Sequence, residues 1–152
     1  MDGSADRDRH VEPHFGHHPD LPVLIDSGVT VTVIMGELGG ATAPARVYSP
    51  LVGVEVDLAA GGYTRVPLHT DWEYAALALS GTVEVDGLAL STVLLLYLGL
   101  GRSGLALRAD QGGRVLLIGG ELCSPPIDRQ RCSARSSVRL PVVVRHAREP
   151  RC

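Results

Sequence analysis

Val52–Leu58 reads VGVEVDL, and the alternation decides the fold class. Val52, Val54, Val56 and Leu58 point one way along an extended chain, while Glu55 and Asp57 point the other. That is the pattern of a strand with one face on a core and one in water. Outward from it the pattern repeats. GVTVTVIMG, residues 28–36, sets threonines between valines, and TVEVDGLAL, residues 82–90, places Asp86-Gly87 between two short strands. An Asp-Gly pair favours a tight hairpin because both central residues of that turn need positive φ. LALR, residues 105–108, alternates again. VLLLYLG and RVLLIGG are continuously apolar, which predicts strands buried on both faces or lying mid-sheet. Helical periodicity is almost absent. The reading is an all-β domain of roughly eight short strands with glycine turns, a sandwich or jelly roll.

The chain has 152 residues, enough for one domain with a sizeable core and flanking segments. Every basic residue is arginine, and the formal net charge is −3, so there is no overall pull toward nucleic acid or anionic membrane. The charge is uneven, with seven arginines against fifteen acids through Glu121 and seven against two from Leu122 onward. No apolar run approaches the ~20 residues of a membrane helix, and the start, MDGSADRDRHVEP, has no signal-peptide core. Cys123, Cys132 and Cys152 lie in the tail without CxxC spacing, which supports neither a disulfide framework nor a zinc finger and suits a reducing cytoplasm.

PLHTDWEYAALALSG, residues 67–81, raises the question of a metal site. A cupin jelly roll holds its ion with G-x5-H-x-H-x3,4-E-x6-G and a later histidine, so that imidazoles and a carboxylate converge from neighbouring strands. Counted back from Gly81, Tyr74 falls where the glutamate belongs, His69 on the second histidine and Pro67 on the first. The later histidine falls in YLGLGRSG, on Arg102 or Gly104. One of four expected ligands remains. The metal candidates are His69 and, with a register shift, Asp71 and Glu73, too few to hold an ion. No cofactor is therefore expected in this chain.

Other features yield no catalytic residue. His10, His14, His17 and His18 cluster among prolines without a rigid frame, the reading of a solvated arm. No G-x-S-x-G occurs. The pairs Gly39-Gly40, Gly61-Gly62, Gly112-Gly113 and Gly119-Gly120 precede no helix and read as turns. Arginines from Arg129 to Arg151 lack interleaved aromatics and read as a solvated tail, so a nucleic-acid partner is not expected.

GVTVTVIMGELGGATAPARVYSPLVGVEVDL, EYAALALSGTVEVDG, YLGLGR and RVLLIGGE together resemble the C-terminal cupin domain of pirin family proteins, with APARVYSPLVG the most distinctive element. DRHVEPHFGHHPDLPVL is similar to the connector between the two cupins of that family. The resemblance covers residues 6–121. It implies a cupin-type double-stranded β-helix and a bicupin whose iron, with quercetin 2,3-dioxygenase activity in some members, sits in an N-terminal cupin that this sequence does not contain. It also implies a C-terminal cupin without a complete metal site. Other members act as transcriptional co-regulators or bind metabolic enzymes.

The resulting organisation is an extended, connector-like arm over 1–27, the cupin over 28–121 and a tail over 122–152 that departs from the family. Family members continue with paired tryptophans and a helix, whereas here Trp72 is the sole tryptophan and the tail is rich in Arg, Ser and Cys. That composition is what a GC-rich gene read in a shifted frame would give, so the chain is expected to be a fragment with a disordered or frame-shifted end. The expected role is a noncatalytic cupin that pairs with another cupin domain or with itself. The alternatives are part of an iron-dependent quercetin 2,3-dioxygenase and a co-regulator module.

Overall fold

A computed structural model describes residues 15–122. Eleven strands and no helix occur among them. In chain order they are β1 Val23–Asp26, β2 Val29–Met35, β3 Glu37–Leu38, β4 Ala41–Thr42, β5 Leu51–Leu58, β6 Gly62–Pro67, β7 Trp72–Val85, β8 Leu88–Ser91, β9 Leu95–Gly99, β10 Gly104–Ala109 and β11 Gly113–Glu121. Hydrogen bonding runs in the order β1-β2-β5-β11-β7-β10-β6, with β8 and β9 also paired to β7, all antiparallel.

The path curls into two layers because β7 belongs to both. Its first part pairs with β11 and β9, and its last residues, Thr82–Val85, pair with β8 and β10. Gly81 makes the corner. Its φ is +69°, and a Cβ there would lie 2.5 Å from the Gly112 carbonyl oxygen, so a side chain would be both strained and obstructed. The β7–β11 register slips beside this bend, between Arg114 and Val115, a bulge that adds twist where the sheet turns over.

The alternating stretches fold as their spacing dictates. Val52, Val54, Val56 and Leu58 are buried while Glu55 and Asp57 face outward, and Val29, Val31 and Val33 are buried between half-buried threonines. They meet Leu105, Leu107, Val83, Val85, Val115 and Leu117 in one hydrophobic core that contains no buried polar or charged residue among those described. Asp86 (φ +48°) and Gly87 (φ +81°) turn the β7–β8 hairpin.

Several expectations need correction. Strand count is eleven rather than about eight, partly because the two-residue β3–β4 hairpin gives no usable alternation. The cupin sheet begins before residue 28, since Val23–Asp26, within the stretch expected as an extended arm, pairs with β2 as an edge strand. VLLLYLG is not buried on both faces. Val93 is 83% exposed at φ +71°, and β9 alternates buried Leu96 and Leu98 with outward Tyr97. RVLLIGG does lie mid-sheet, between β5 and β7, but only Val115 and Leu117 enter the core, whereas Ile118 is 43% exposed. Finally, Gly119-Gly120 lies within β11 rather than in a turn. His10 and His14, the three cysteines, the PVVV run and the arginine tail fall outside the described residues, whereas His17 and His18 are exposed.

Candidate functional site

Tertiary pairing brings the two motif regions together. Leu68 N–H donates to the Ser103 carbonyl at 3.0 Å, Gly101 N–H donates to the Thr70 carbonyl at 2.8 Å, and Pro67 lies opposite Gly104 in the β6–β10 ladder. This end of the sandwich is where converging strands of a cupin would present ligands. The motif's first glycine falls on Gly61, at φ +75°, so its glycine frame is kept at both ends while its ligands are replaced.

Each replacement is already engaged. Pro67 has no donor atom to offer a metal from its side chain. Tyr74, 3% exposed, fills the interior, and its hydroxyl accepts the His69 backbone N–H at 3.0 Å. Burial raises the Tyr74 pKa, the His69 N–H bond opposes that shift, and the Asp71 charge adds to it. A neutral phenol in this position is a packed structural group. Gly119 opposite it in β11 makes the space, because a Cβ there would stand 2.3 Å from Tyr74 Cδ1.

His69 is exposed, and its ring lies 4.5 Å from that of Trp72, which in turn is 6.4 Å from Tyr74. It borders a shallow recess of about 490 Å³ shared with Trp72, Leu38, Thr42, Val47 and Pro50. The other two candidates do not join it. Asp71 is exposed and accepts the Thr70 hydroxyl at 3.1 Å. Glu73, flanking inward Tyr74, projects to the opposite face of β7, where its carboxylate accepts the Tyr97 hydroxyl at 2.5 Å. That bond is the first cause of the raised Tyr97 pKa.

Arg102 turns away toward the β7–β8 hairpin, donating to the Leu98 carbonyl at 3.0 Å and to Asp86 Oδ2 at 2.5 Å. Asp86 Oδ1 also accepts the Ala106 N–H at 2.9 Å, so this carboxylate ties the hairpin to β10. At Gly104 a Cβ would come 2.7 Å from Arg65 Nε, so the place a ligand side chain would need is taken by a guanidinium. Among the described residues no group of three His, Cys, Asp or Glu side chains is placed to hold an ion.

A family model, the pirin C-terminal cupin domain, matches residues 53–133, more than half of the chain. The chain belongs to the pirin family. A Pseudomonas aeruginosa protein whose name assigns it to the quercetin 2,3-dioxygenases is 45% identical over 112 residues, 74% of this chain and 36% of that protein. A Caulobacter vibrioides pirin-like protein is 33% identical over 118 residues, 76% of this chain and 40% of that one. Among solved structures, a quercetin 2,3-dioxygenase from Acinetobacter baumannii superposes with a TM-score of 0.68 at 38% identity, over 76% of this chain and 39% of that one. The pirin chain therefore spans well under half the length of these relatives. The pirin match ends at residue 133, twelve residues beyond Glu121, where the resemblance read from the sequence stops.

Proposed function

We propose that this pirin-family chain is a noncatalytic cupin domain, a structural and interaction half that pairs with a second cupin. The observation that carries this reading is the state of the ligand positions. Pro67 and Gly104 bring no donor, Tyr74 is a buried phenol bonded to His69 N–H, and the Arg102 guanidinium is spent on Asp86 and Leu98. A stable metal centre needs three or more convergent ligands, and His69 alone stays near its motif place. Iron in such an assembly belongs to a cupin outside this chain, and the compartment we assign is the cytoplasm. No helix long and apolar enough to cross a membrane occurs among the described residues.

Metal analysis of the purified full chain, after removal of any tag, tests the reading. The expected result is far less than one iron per chain, with no change on His69→Ala. Stoichiometric iron lost in that variant would overturn it.

A second reading, that the domain serves a quercetin 2,3-dioxygenase whose iron lies elsewhere, draws on the 45% and 38% identities to proteins bearing that name. In that case the chain alone should show no turnover of quercetin. Turnover by the chain alone, retained after iron chelation, would exclude it.

A further inference from the structure

The chain contains no asparagine, so the backbone unit most open to spontaneous rearrangement is aspartate followed by glycine, which occurs at Asp2-Gly3 and Asp86-Gly87. The first lies outside the described residues. In such a unit the glycine amide nitrogen attacks the aspartate Cγ, and the missing glycine side chain leaves the approach open. A C–N bond forms, one carboxyl oxygen departs as water with the amide hydrogen and the acid hydrogen, and a five-membered succinimide results. Water then opens the ring at either carbonyl. One opening restores aspartate, and the other routes the main chain through the side-chain methylene as isoaspartate. The net change is an isomerisation that consumes no reagent.

Gly87 presents no obstacle to that attack. It is exposed at φ +81°, a Cβ placed on it would meet nothing within 4 Å, and no described residue accepts its N–H. The restraint falls on Asp86. Its Oδ1 accepts the Ala106 N–H at 2.9 Å while its own N–H donates to the Ala106 carbonyl at 2.9 Å, so side chain and backbone together bridge to β10. Its Oδ2 accepts Arg102 Nη1 at 2.5 Å, and Arg102 Nε is anchored on the Leu98 carbonyl at 3.0 Å. Both carboxylate oxygens are therefore held by groups outside the turn. Attack makes Cγ tetrahedral, which swings the two oxygens out of the plane in which they are held. The departing oxygen must also take up hydrogens at lone pairs that donors now occupy.

We propose that Asp86-Gly87 is a modification site at which aspartate isomerises spontaneously, and that Arg102 is the positioning residue that slows the reaction. This goes beyond the pairing role proposed above and gives a task to the arginine at the motif place of the later histidine. The Arg102 and Asp86 side chains are 26% and 32% exposed, so the guanidinium slows ring closure by about two- to tenfold rather than blocking it. Isomerisation would undo the turn. An added methylene in the main chain lengthens a loop whose register pairs Val85 with Leu88, and the side-chain carboxylate that bound Ala106 and Arg102 becomes part of the backbone. The α-carboxylate left on the exposed turn is the group that isoaspartyl methyltransferases esterify.

Ageing of the full chain at neutral pH, folded and in urea, tests the proposal. Isoaspartate in the proteolytic peptide holding Asp86 is read by enzymatic methyl transfer and assigned by fragmentation in the mass spectrometer. It should accumulate in urea and more slowly in the folded parent. Folded Arg102→Met, which keeps the aliphatic stem and removes the guanidinium, should form it about two- to tenfold faster than the folded parent. Gly119→Ala, which crowds Tyr74 away from this turn, should keep the parent rate while folded, which separates release of Asp86 from general destabilisation. The proposal is overturned by the absence of isoaspartate at Asp86 in urea, by equal rates folded and in urea, by a folded Arg102→Met no faster than the parent, or by Gly119→Ala as fast as Arg102→Met. Should Arg102→Met fail to fold, Arg102→Gln is read against the same parent with the same outcomes.

Discussion

Gly119→Ala is the sharpest test of the interior reading. The added methyl would sit 2.3 Å from Tyr74 Cδ1, 2.4 Å from Cε1 and 2.9 Å from the Glu73 carbonyl oxygen. The ring cannot swing aside freely, because its hydroxyl holds the His69 N–H at 3.0 Å and Trp72 lies alongside. Overpacking of this kind costs about 1–3 kcal/mol, and losing the hydrogen bond adds about 0.5–1.5, giving about 1.5–4.5 kcal/mol in all. For a domain near this size that lowers the melting temperature by about 10–20 °C. Urea unfolding followed by fluorescence of Trp72, the sole tryptophan, reads the change at the site itself. In a Tyr74→Leu background the ring is gone, so the same glycine substitution should cost at least about 1 kcal/mol less, a coupling that only contacting residues show. A cost under about 0.5 kcal/mol, or the same cost in both backgrounds, would refute the packing argument.

The tyrosines give a pH test. Tyr74 has a raised pKa in the fold, so its contribution to stability is complete below the unfolded value of about 10 and declines as pH rises from there through the folded value. Melting temperature against pH should therefore bend downward above about 10, and Tyr74→Phe should flatten that bend. Tyr97 is held protonated first by its bond to Glu73, so Glu73→Gln should lower the Tyr97 pKa, visible by ultraviolet titration against the parent. Asp86→Ala removes the bonds to Arg102 and Ala106 and places alanine at φ +48°, for an expected loss of about 2–3 kcal/mol in urea unfolding. Asp86→Asn tolerates that backbone and keeps the Ala106 bond, so it should cost less than half as much.

Local sequence determined the strand content of this protein, because period-two alternation commits a residue to one face wherever that face is buried. VGVEVDL and GVTVTVIMG could lie only one way round, and Asp86-Gly87 could turn only tightly. The motif places could be counted too, since Pro67, His69 and Tyr74 stand at fixed spacings from Gly81 whatever the fold does. What spacing left open was decided by pairing. Nothing in WEYAALALSG says that Gly81 bends one strand from sheet to sheet, or that Glu73 turns outward to Tyr97 while Tyr74 turns in, since both follow from which strands lie beside β7. Gly119 reads as a turn until β7 sets the Tyr74 ring against it. The continuous apolar runs misled for the same physical reason. An apolar run says nothing of which of its side chains meet the core, and only β-sheet pairing left Ile118 and Tyr97 on the outward face while Val115, Leu117, Leu96 and Leu98 turned in.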